Sequence, residues 1–255
     1  MSRLSVNLNK IALVRNSRDG DLPSVTGAAR TVLAAGAHGI TVHPRPDQRH
    51  IRPHDVGDLA ELLNEYPDIE YNIEGNPYAG ARGNGYPGFS ALIDSARPHQ
   101  ATLVPDADSQ LTSDHGWDLS GDNTRLIECI ARYQACGARV SLFVDPDAEQ
   151  IARARDCGAD RIELYTGPFA ETVARCGIDH PDSLAALAIY ADAAQHAAGL
   201  GLGVNAGHDL DTTNLQLFRQ ITEVAEVSIG HALITDALEL GLSGAVHAYL
   251  AALAG

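Results

Sequence analysis

The residues best suited to chemistry stand at the ends of short apolar runs. Ile40-Thr-Val-His43-Pro-Arg45 closes on a histidine and an arginine, and Arg49 and His50 follow within five positions. A histidine moves protons near neutral pH, and arginine offers a rigid fork of donors to phosphate. Ile69-Glu70-Tyr-Asn-Ile sets a carboxylate into an alternating pattern. A carboxylate pointing into a closed sheet needs a cation or proton-transfer work, so Glu70 is a candidate acid/base. Arg139 and Arg161 are the cations that would give it a merely structural role, and Glu163 is a weaker second carboxylate of the same kind. Two matched phrases, Asn205-Ala-Gly207-His208 and Ser228-Ile-Gly230-His231, put a glycine where a strand gives way to a helix. There, free N–H groups and the helix dipole favour an anion. Lys10, the sole lysine, lies beside Asn7 and Asn9 and near Arg15 and Arg18. It reads as a substrate-binding cation, a Schiff-base nucleophile, or a surface remnant of a chain that prefers arginine.

Metal chemistry has less support. The first strand carries no H-x-H, no H-E-x-x-H occurs, and His50 and His54 straddle Pro53, which breaks a helical ligand pair. A scattered set of His43, Glu70, Glu163 and His208 is the remaining metal alternative, and the expectation is that no metal is bound.

These residues need a scaffold that aims them together, and a recurring phrase supplies it. Ala35-Gly-Ala-His-Gly-Ile-Thr-Val-His43 returns as Cys136-Gly-Ala-Arg-Val-Ser-Leu-Phe143, as Cys157-Gly-Ala-Asp-Arg-Ile-Glu-Leu-Tyr165 and, more loosely, as Ala198-Gly-Leu-Gly-Leu-Gly-Val-Asn205. Each follows an Ala/Leu-rich helical pattern; the glycine ends the helix and a strand begins. Eight strands are predicted, over residues 4–8, 40–43, 69–73, 101–104, 140–144, 161–165, 202–205 and 227–229. The clearest helical patterns cover 25–35, 55–65, 124–135, 149–157, 183–198 and 231–254. Repeated strand–helix units over 255 residues predict one domain, 1–255, folded as a closed (β/α)8 TIM barrel. An open doubly wound sheet is the runner-up, but no G-x-G-x-x-G follows the first strand.

Period-two alternation turns Asn7, Thr41, His43, Glu70, Asn72, Thr102, Ser141, Glu163, Asn205 and Ser228 into the lumen. That much polarity calls for a ligand or a self-satisfied polar network. Two long segments, 75–88 and the acidic 105–122, follow strands and so stand over the catalytic face; the second reads as a lid.

Composition narrows the partners. The net charge is 18 − 33 = −15, which disfavours nucleic acid and anionic membranes. Phosphorylated small molecules remain open because Arg15, Arg18, Arg45, Arg49 and Arg52 cluster early in the chain. No segment approaches a membrane span, the N-terminus has no apolar leader core, and four cysteines without a C-x-x-C read as reduced thiols of a cytosolic protein.

The residues also resemble a known family. Val6-Asn-Leu-Asn-Lys-Ile-Ala-Leu-Val-Arg-Asn-Ser-Arg18, Gly36 through Ile51, Ile69-Glu70, Ala101-Thr-Leu-Val-Pro105, Val140-Ser-Leu-Phe-Val-Asp145, Ile162-Glu-Leu-Tyr-Thr-Gly167, Val204-Asn-Ala-Gly-His208 and Ser228-Ile-Gly-His-Ala232 run in the order of the pyridoxine 5′-phosphate synthases. The resemblance implies condensation of 1-deoxy-D-xylulose 5-phosphate with 3-amino-2-oxopropyl phosphate, without cofactor or metal, in a cytoplasmic homo-octamer. It implies His43, Glu70 and His208 as acid/base groups, and Asn7, Lys10 (with Asn9 beside it), Arg45, His50 and Thr112 around the deoxyxylulose phosphate. Arg18 would hold the aminoketone phosphate, with Asp209, Gly230 and His231 at the phosphate loops. Many relatives have Asp-His where this chain has Asn9-Lys10, and a small glycine where it has Asp209. Two other readings stay open: a Schiff-base aldolase using Lys10, and a non-catalytic phosphosugar-binding barrel.

Overall fold

The recurring glycine phrase is a helix stop joined to a strand start. In the computed structural model, which describes residues 2–255, Gly36, Gly137, Gly158 and Gly201 all take positive φ, from +81° to +99°. In each copy the next residue donates its N–H to the carbonyl five positions back: Ala37 to Val32, Ala138 to Tyr133, Ala159 to Ala154 and Leu202 to Ala197. These bonds close the helix end in the same capped turn four times. The residue after that opens the ladder, as when His38 N–H reaches Leu4 O at 2.9 Å and Asp160 N–H reaches Val140 O at 2.9 Å.

The strands so delivered are β1 (Arg3–Asn7), β2 (Gly39–Val42), β3 (Glu70–Gly75), β4 (Gln100–Leu103), β5 (Arg139–Val144), β6 (Arg161–Tyr165), β7 (Gly203–Gly207) and β8 (Val224–Ile229). All neighbours pair in parallel and β8 closes on β1. The predicted barrel is the observed one, and every predicted strand is present within a few residues.

The helices are α1 (Asn9–Asn16), α2 (Val25–Ala34), α3 (Pro53–Leu63), α4 (Phe89–Ala96), α5 (Thr124–Ala135), α6 (Ala148–Asp156), α7 (Gly167–Cys176), α8 (Pro181–Gly199), α9 (Leu215–Phe218), α10 (His231–Leu240) and α11 (Leu242–Ala254). Four of them go beyond the sequence expectation: α1, α4 and α9 are eight residues or fewer, and α7 opens on Gly167-Pro168. The single helix expected over 231–254 is two, broken where Gly241 turns to φ +71°. No helix among the described residues is long and apolar enough to cross a membrane.

The outward faces of the strands, including Leu4, Val6, Ile40, Val42, Ile73, Leu103, Val140, Leu142, Ile162 and Leu164, are buried against the helices. Each such side chain contributes roughly 1.5–3 kcal/mol. The inward faces are polar and stack in layers. In the middle layer Ser5 Oγ meets Thr41 Oγ1 (2.7 Å), and Asn72 donates to Thr41 (3.4 Å) and accepts from Thr102 (3.0 Å). Gln100 donates to Thr102 (3.3 Å), and Asn205 donates to Gln100 (3.4 Å) while accepting from Arg161 (3.0 Å). Apart from Ser141 Oγ, which is buried without a partner, this layer is hydrogen-bonded within itself, so the lumen's polarity is in good part structural. What is left for chemistry lies above it.

Candidate active site

At the carboxyl ends of the strands a cavity of about 470 Å³ opens. Its floor is built by the uppermost inward residues, one layer above the network. Glu74 comes from β3, Glu163 from β6 and Ser228 from β8, with Asn7 at the end of β1 and His43 just past β2. Asn7 Nδ2 donates to Glu74 (3.3 Å), and His43 Nδ1 lies 3.9 Å from the same carboxylate. The two matched glycines are where side chains must be absent: a Cβ at Gly207 would collide with the Glu163 carboxylate, and one at Gly230 would stand 3.1 Å from Asn7.

Glu70 is corrected by this geometry. It is the first residue of β3, at the opposite mouth of the barrel, ion-paired with Arg139 and near Glu226 and Arg161. The non-catalytic alternative raised for it holds. Glu74, four residues on and therefore on the same inward face, lies roughly 13 Å further along the strand and reaches the pocket. The predicted strand stopped at Ile73, two residues early. The signal was present in the unbroken alternation Ile69-Glu-Tyr-Asn-Ile-Glu74, whose last carboxylate directly precedes the loop.

Electrostatics separates the floor groups. Burial, reinforced by Arg45, His50 and Arg49, pushes His43 well below the ordinary histidine range, so it is neutral. Burial and then Asp106 push Glu74 up to about 7, against the opposing pull of Arg45 and His208. Burial, with Glu74 and Glu226 adding repulsion, holds Glu163 well above the carboxylate range; its Oε2 has no protein partner. The floor therefore pairs a neutral imidazole with a carboxyl poised near neutrality and a protonated acid.

The rim carries groups suited to an anion. Helices α1 and α10 both begin without a side-chain cap, and Asn9, Lys10, Gly230, His231 and Ala232 from their first turns line the cavity. Asn9 also ties this rim to the floor, since its Oδ1 accepts the His43 backbone N–H at 2.8 Å. Arg45, Arg49 and His50 line the cavity from the segment after β2. The His50 ring accepts the Ile51 N–H at Nδ1 (2.9 Å), which leaves Nε2 to carry the proton as a donor. Burial, then Arg45 and Arg49, lower its pKa to about 3. This segment is held by Asn16, which sequence reasoning missed, and by Arg15, which it read only as one of the early cations. Asn16 Nδ2 donates to the carbonyls of Gln48, Arg49 and His50 at 3.3, 3.1 and 2.8 Å, and Arg15, buried and ion-paired with Asp55, reaches His50 O at 3.2 Å.

The lid expected over 105–122 is irregular and lies across the cavity, which Leu111, Thr112 and Ser113 help line. Arg49 donates to the carbonyls of Gln110 (2.9 Å), Leu111 (3.2 Å) and Asp108 (3.2 Å). Arg45 is ion-paired with Asp106, which also accepts from Ser113 (2.7 Å). Thr112 Oγ1 meets His208 Nε2 at 2.9 Å, joining the lid to β7. In this position both arginines spend donors on the 105–122 segment.

Of the expected site residues, Asn7, Asn9, Lys10, His43, Arg45, His50, Thr112, His208, Asp209, Gly230 and His231 all line this one cavity. Arg18 does not: it follows the end of α1 on the solvent side, exposed and outside the lining. The scattered metal set also comes apart, because Glu70 is at the other mouth. The single metal-type grouping among the described residues, Cys176, His180 and Asp182, lies at the surface around the turn between α7 and α8, away from the cavity.

Comparison with known proteins agrees with this picture. The family model described as "Pyridoxal phosphate biosynthesis protein PdxJ" matches residues 4–255. A pyridoxine 5′-phosphate synthase of Xanthomonas oryzae pv. oryzae (strain MAFF 311018) is 56% identical over 254 residues, covering 99% of this chain and 97% of its own. One from Albidiferax ferrireducens is 54% identical over 255 residues, covering 99% and 98%. Among solved structures, one from Aquifex aeolicus VF5 superimposes with TM-score 0.66 at 15% identity, covering 99% of this chain and 93% of its own. Phosphoribosylanthranilate isomerase of Thermotoga maritima superimposes with TM-score 0.56 at 11% identity, covering the whole of both chains. At those identities the structural likeness speaks for the fold alone.

Proposed function

Because the chain belongs to the family of pyridoxal phosphate biosynthesis proteins PdxJ, we propose that it is a pyridoxine 5′-phosphate synthase. It condenses 1-deoxy-D-xylulose 5-phosphate with 3-amino-2-oxopropyl phosphate, closes the pyridine ring, and releases phosphate and water. The reading invokes no cofactor or metal. The observation that carries it is the cavity floor, where neutral His43, Glu74 poised near 7 and protonated Glu163 lie beneath a rim of helix N-termini, Lys10, Arg45 and His50.

Ring formation needs an imine between the amino ketone and the deoxyxylulose carbonyl, dehydrations and a carbon–carbon bond, hence several proton transfers away from bulk water. His43, unprotonated, and ionised Glu74 are placed to remove protons from substrate carbon or nitrogen. Glu163, protonated at neutral pH, is placed to donate to a departing or developing oxygen. His208, under the lid, is the general acid at the other side of the cavity. Phosphates are held by the first turns of α1 and α10 with Lys10 and His231, and by Arg45, His50 and Thr112, with Asn7 and Asn9 fixing the floor beside them. Arg18, exposed in the single chain, is not assigned a substrate contact.

The homo-octamer and the cytoplasmic location belong to the same reading. Exposed Leu13 and Val14 on α1, with Leu238 and Leu240 on the adjacent α10, are apolar surface that a second copy would cover.

The test is direct: both purified substrates are mixed with the protein, and a pyridine chromophore and free phosphate appear together. Borohydride added with substrate leaves Lys10 unlabelled, since the imine joins the two substrates. Labelling of Lys10 with no pyridine product identifies the Schiff-base aldolase instead.

A further inference from the structure

The resemblance assigns Asp209 to a phosphate contact, yet a carboxylate beside a phosphate is repelled unless turned away. The structure turns it away. His208 and Asp209 take consecutive positive φ values, +91° and +57°. Aspartate tolerates that region, whereas a histidine at +91° is held in a costly conformation. This backbone folds the two side chains onto each other, with His208 Nδ1 2.9 Å from Asp209 Oδ2. Nδ1 is buried and has no other partner, and the contact lacks the alignment of a straight hydrogen bond. The opposite ring nitrogen, Nε2, meets Thr112 Oγ1 at 2.9 Å, and Tyr165 packs edge-on to the ring at 5.2 Å between centroids.

We propose that Asp209 is a positioning residue for His208, its carboxylate facing Nδ1 so that Nε2 is the nitrogen presented to the lid and to substrate.

The chemistry of the ring gives such a partner a role. A neutral imidazole carries one proton, and the nitrogen that holds it is chosen by what the other nitrogen faces. With a carboxylate at Nδ1, the neutral ring keeps its proton there and offers Nε2 as acceptor. When the ring is cationic, Nε2–H passes its proton to a departing hydroxyl, which leaves as water, and the ring returns to the Nδ1–H form without rotating. A carboxylate that orients an imidazole in this way is the logic of hydrolase triads. Asp209 stays ionised in this role. Its contact with His208, and then the charges of His208, His231 and Lys10, hold it below the usual carboxylate range against its partial burial. That His208 acts as an acid rests on the synthase reading, whereas the tautomer that Asp209 imposes on it does not.

The test uses ¹⁵N-histidine-labelled protein in phosphate-free buffer. The His208 ring signals are assigned by their loss in His208→Asn, and Asp209→Asn and Asp209→Gly are compared with wild type. Expected in wild type is a pyrrole-type shift at Nδ1 and a pyridine-type shift at Nε2, with the proton moving toward Nε2 in both variants. Turnover falls about 10- to 100-fold while KM for either substrate changes less than about threefold, the pattern of a group that acts in the transition state only. Asp209→Gly melts no lower than wild type because glycine relieves the positive φ, so loss of fold does not explain the result. An unchanged tautomer in both variants overturns the proposal. A raised KM with unchanged turnover overturns it too, and makes Asp209 a substrate contact. If wild type forms no pyridine product, the synthase reading fails while the ring shifts still decide the role of Asp209.

Discussion

Replacing Glu74 and Glu70 in turn by glutamine separates the two inward carboxylates of β3. Glu74→Gln keeps the shape of the floor but removes a group poised near 7 at 3.9 Å from His43. Loss of a positioned acid/base costs about 10²- to 10⁴-fold in turnover, or roughly 3–5 kcal/mol of activation free energy. Glu70→Gln removes an anion from a pair whose carboxylate is 7% exposed but whose Arg139 partner is 40% exposed. The Arg139 side chain is 40% exposed overall although its Nε and Nη2 are buried, so solvent screening is partial and the loss is discounted to about 1 kcal/mol of stability. For a chain of this size that lowers Tm by about 2–4 °C. Turnover in Glu70→Gln stays within about threefold of wild type. The assay is steady-state formation of the pyridine product alongside calorimetric melting of both variants. A loss of 100-fold in Glu70→Gln, with Glu74→Gln near wild type, would falsify the placement of chemistry at the mouth that holds His43.

Three further outcomes are expected. Turnover over substrate affinity rises with pH through about 7 as Glu74 ionises, and this limb vanishes in Glu74→Gln; a flat profile between pH 6 and 8 in wild type removes Glu74 as the base. At the other mouth, burial and then Glu70 push Glu226 up to about 8. A carboxyl that holds its proton more tightly folded than unfolded contributes stability that is full below pH 4.5 and declines as pH rises to about 8. Glu226→Gln therefore melts several degrees above wild type at pH 8.5 and level with it at pH 4.5, and parallel melting curves across that range contradict the assignment. Arg49→Ala removes three donors from lid carbonyls, so amide hydrogen exchange over residues 106–115 speeds up about tenfold without substrate, while protection equal to wild type shows that the latch lies elsewhere.

The fold was legible because its signals are local. The Gly36, Gly137, Gly158 and Gly201 stops act through their own φ and their own helix ends, and each hands the chain to a strand two or three residues later. The candidate site was legible where residues stand beside strand ends, as His43, His208 and Gly230-His231 do, all of which line the one cavity. It was misread where the decision depended on strand length. Alternation reports which face of a strand a residue occupies, and Glu70 and Glu74 share that face; only register against the neighbouring strands says which mouth each one reaches. Glu70 lies in register with Gly39, at the start of β2. Glu74, paired with Thr102 two residues beyond Asn72 and Gln100, lies at the exit. Arg45 and Arg49 were similarly legible as cations, but not as partners of Asp106 and the lid carbonyls, since those contacts span about sixty positions of chain.

That division explains why a polar lumen misleads. The lower mouth, with Glu70, Arg139, Arg161 and Glu226, and the upper mouth, with Glu74, Glu163, His43 and Arg45, hold the same residue types at the same period. The difference lies in what each layer faces. Below, Glu70 is ion-paired with Arg139, yet Glu70 Oε1 and Glu226 Oε2 are also without a hydrogen-bond partner and burial pushes Glu226 up to about 8, so unsettled charge alone does not distinguish the mouths. Above, Glu74, Glu163 and the neutral His43 line the cavity, beneath a rim formed by the first turns of α1 and α10 with Lys10, Arg45 and His50. Displaced proton affinities at that mouth therefore face a space that can hold a substrate. It is this juxtaposition, more than polarity itself, that marks the upper mouth as the candidate for chemistry.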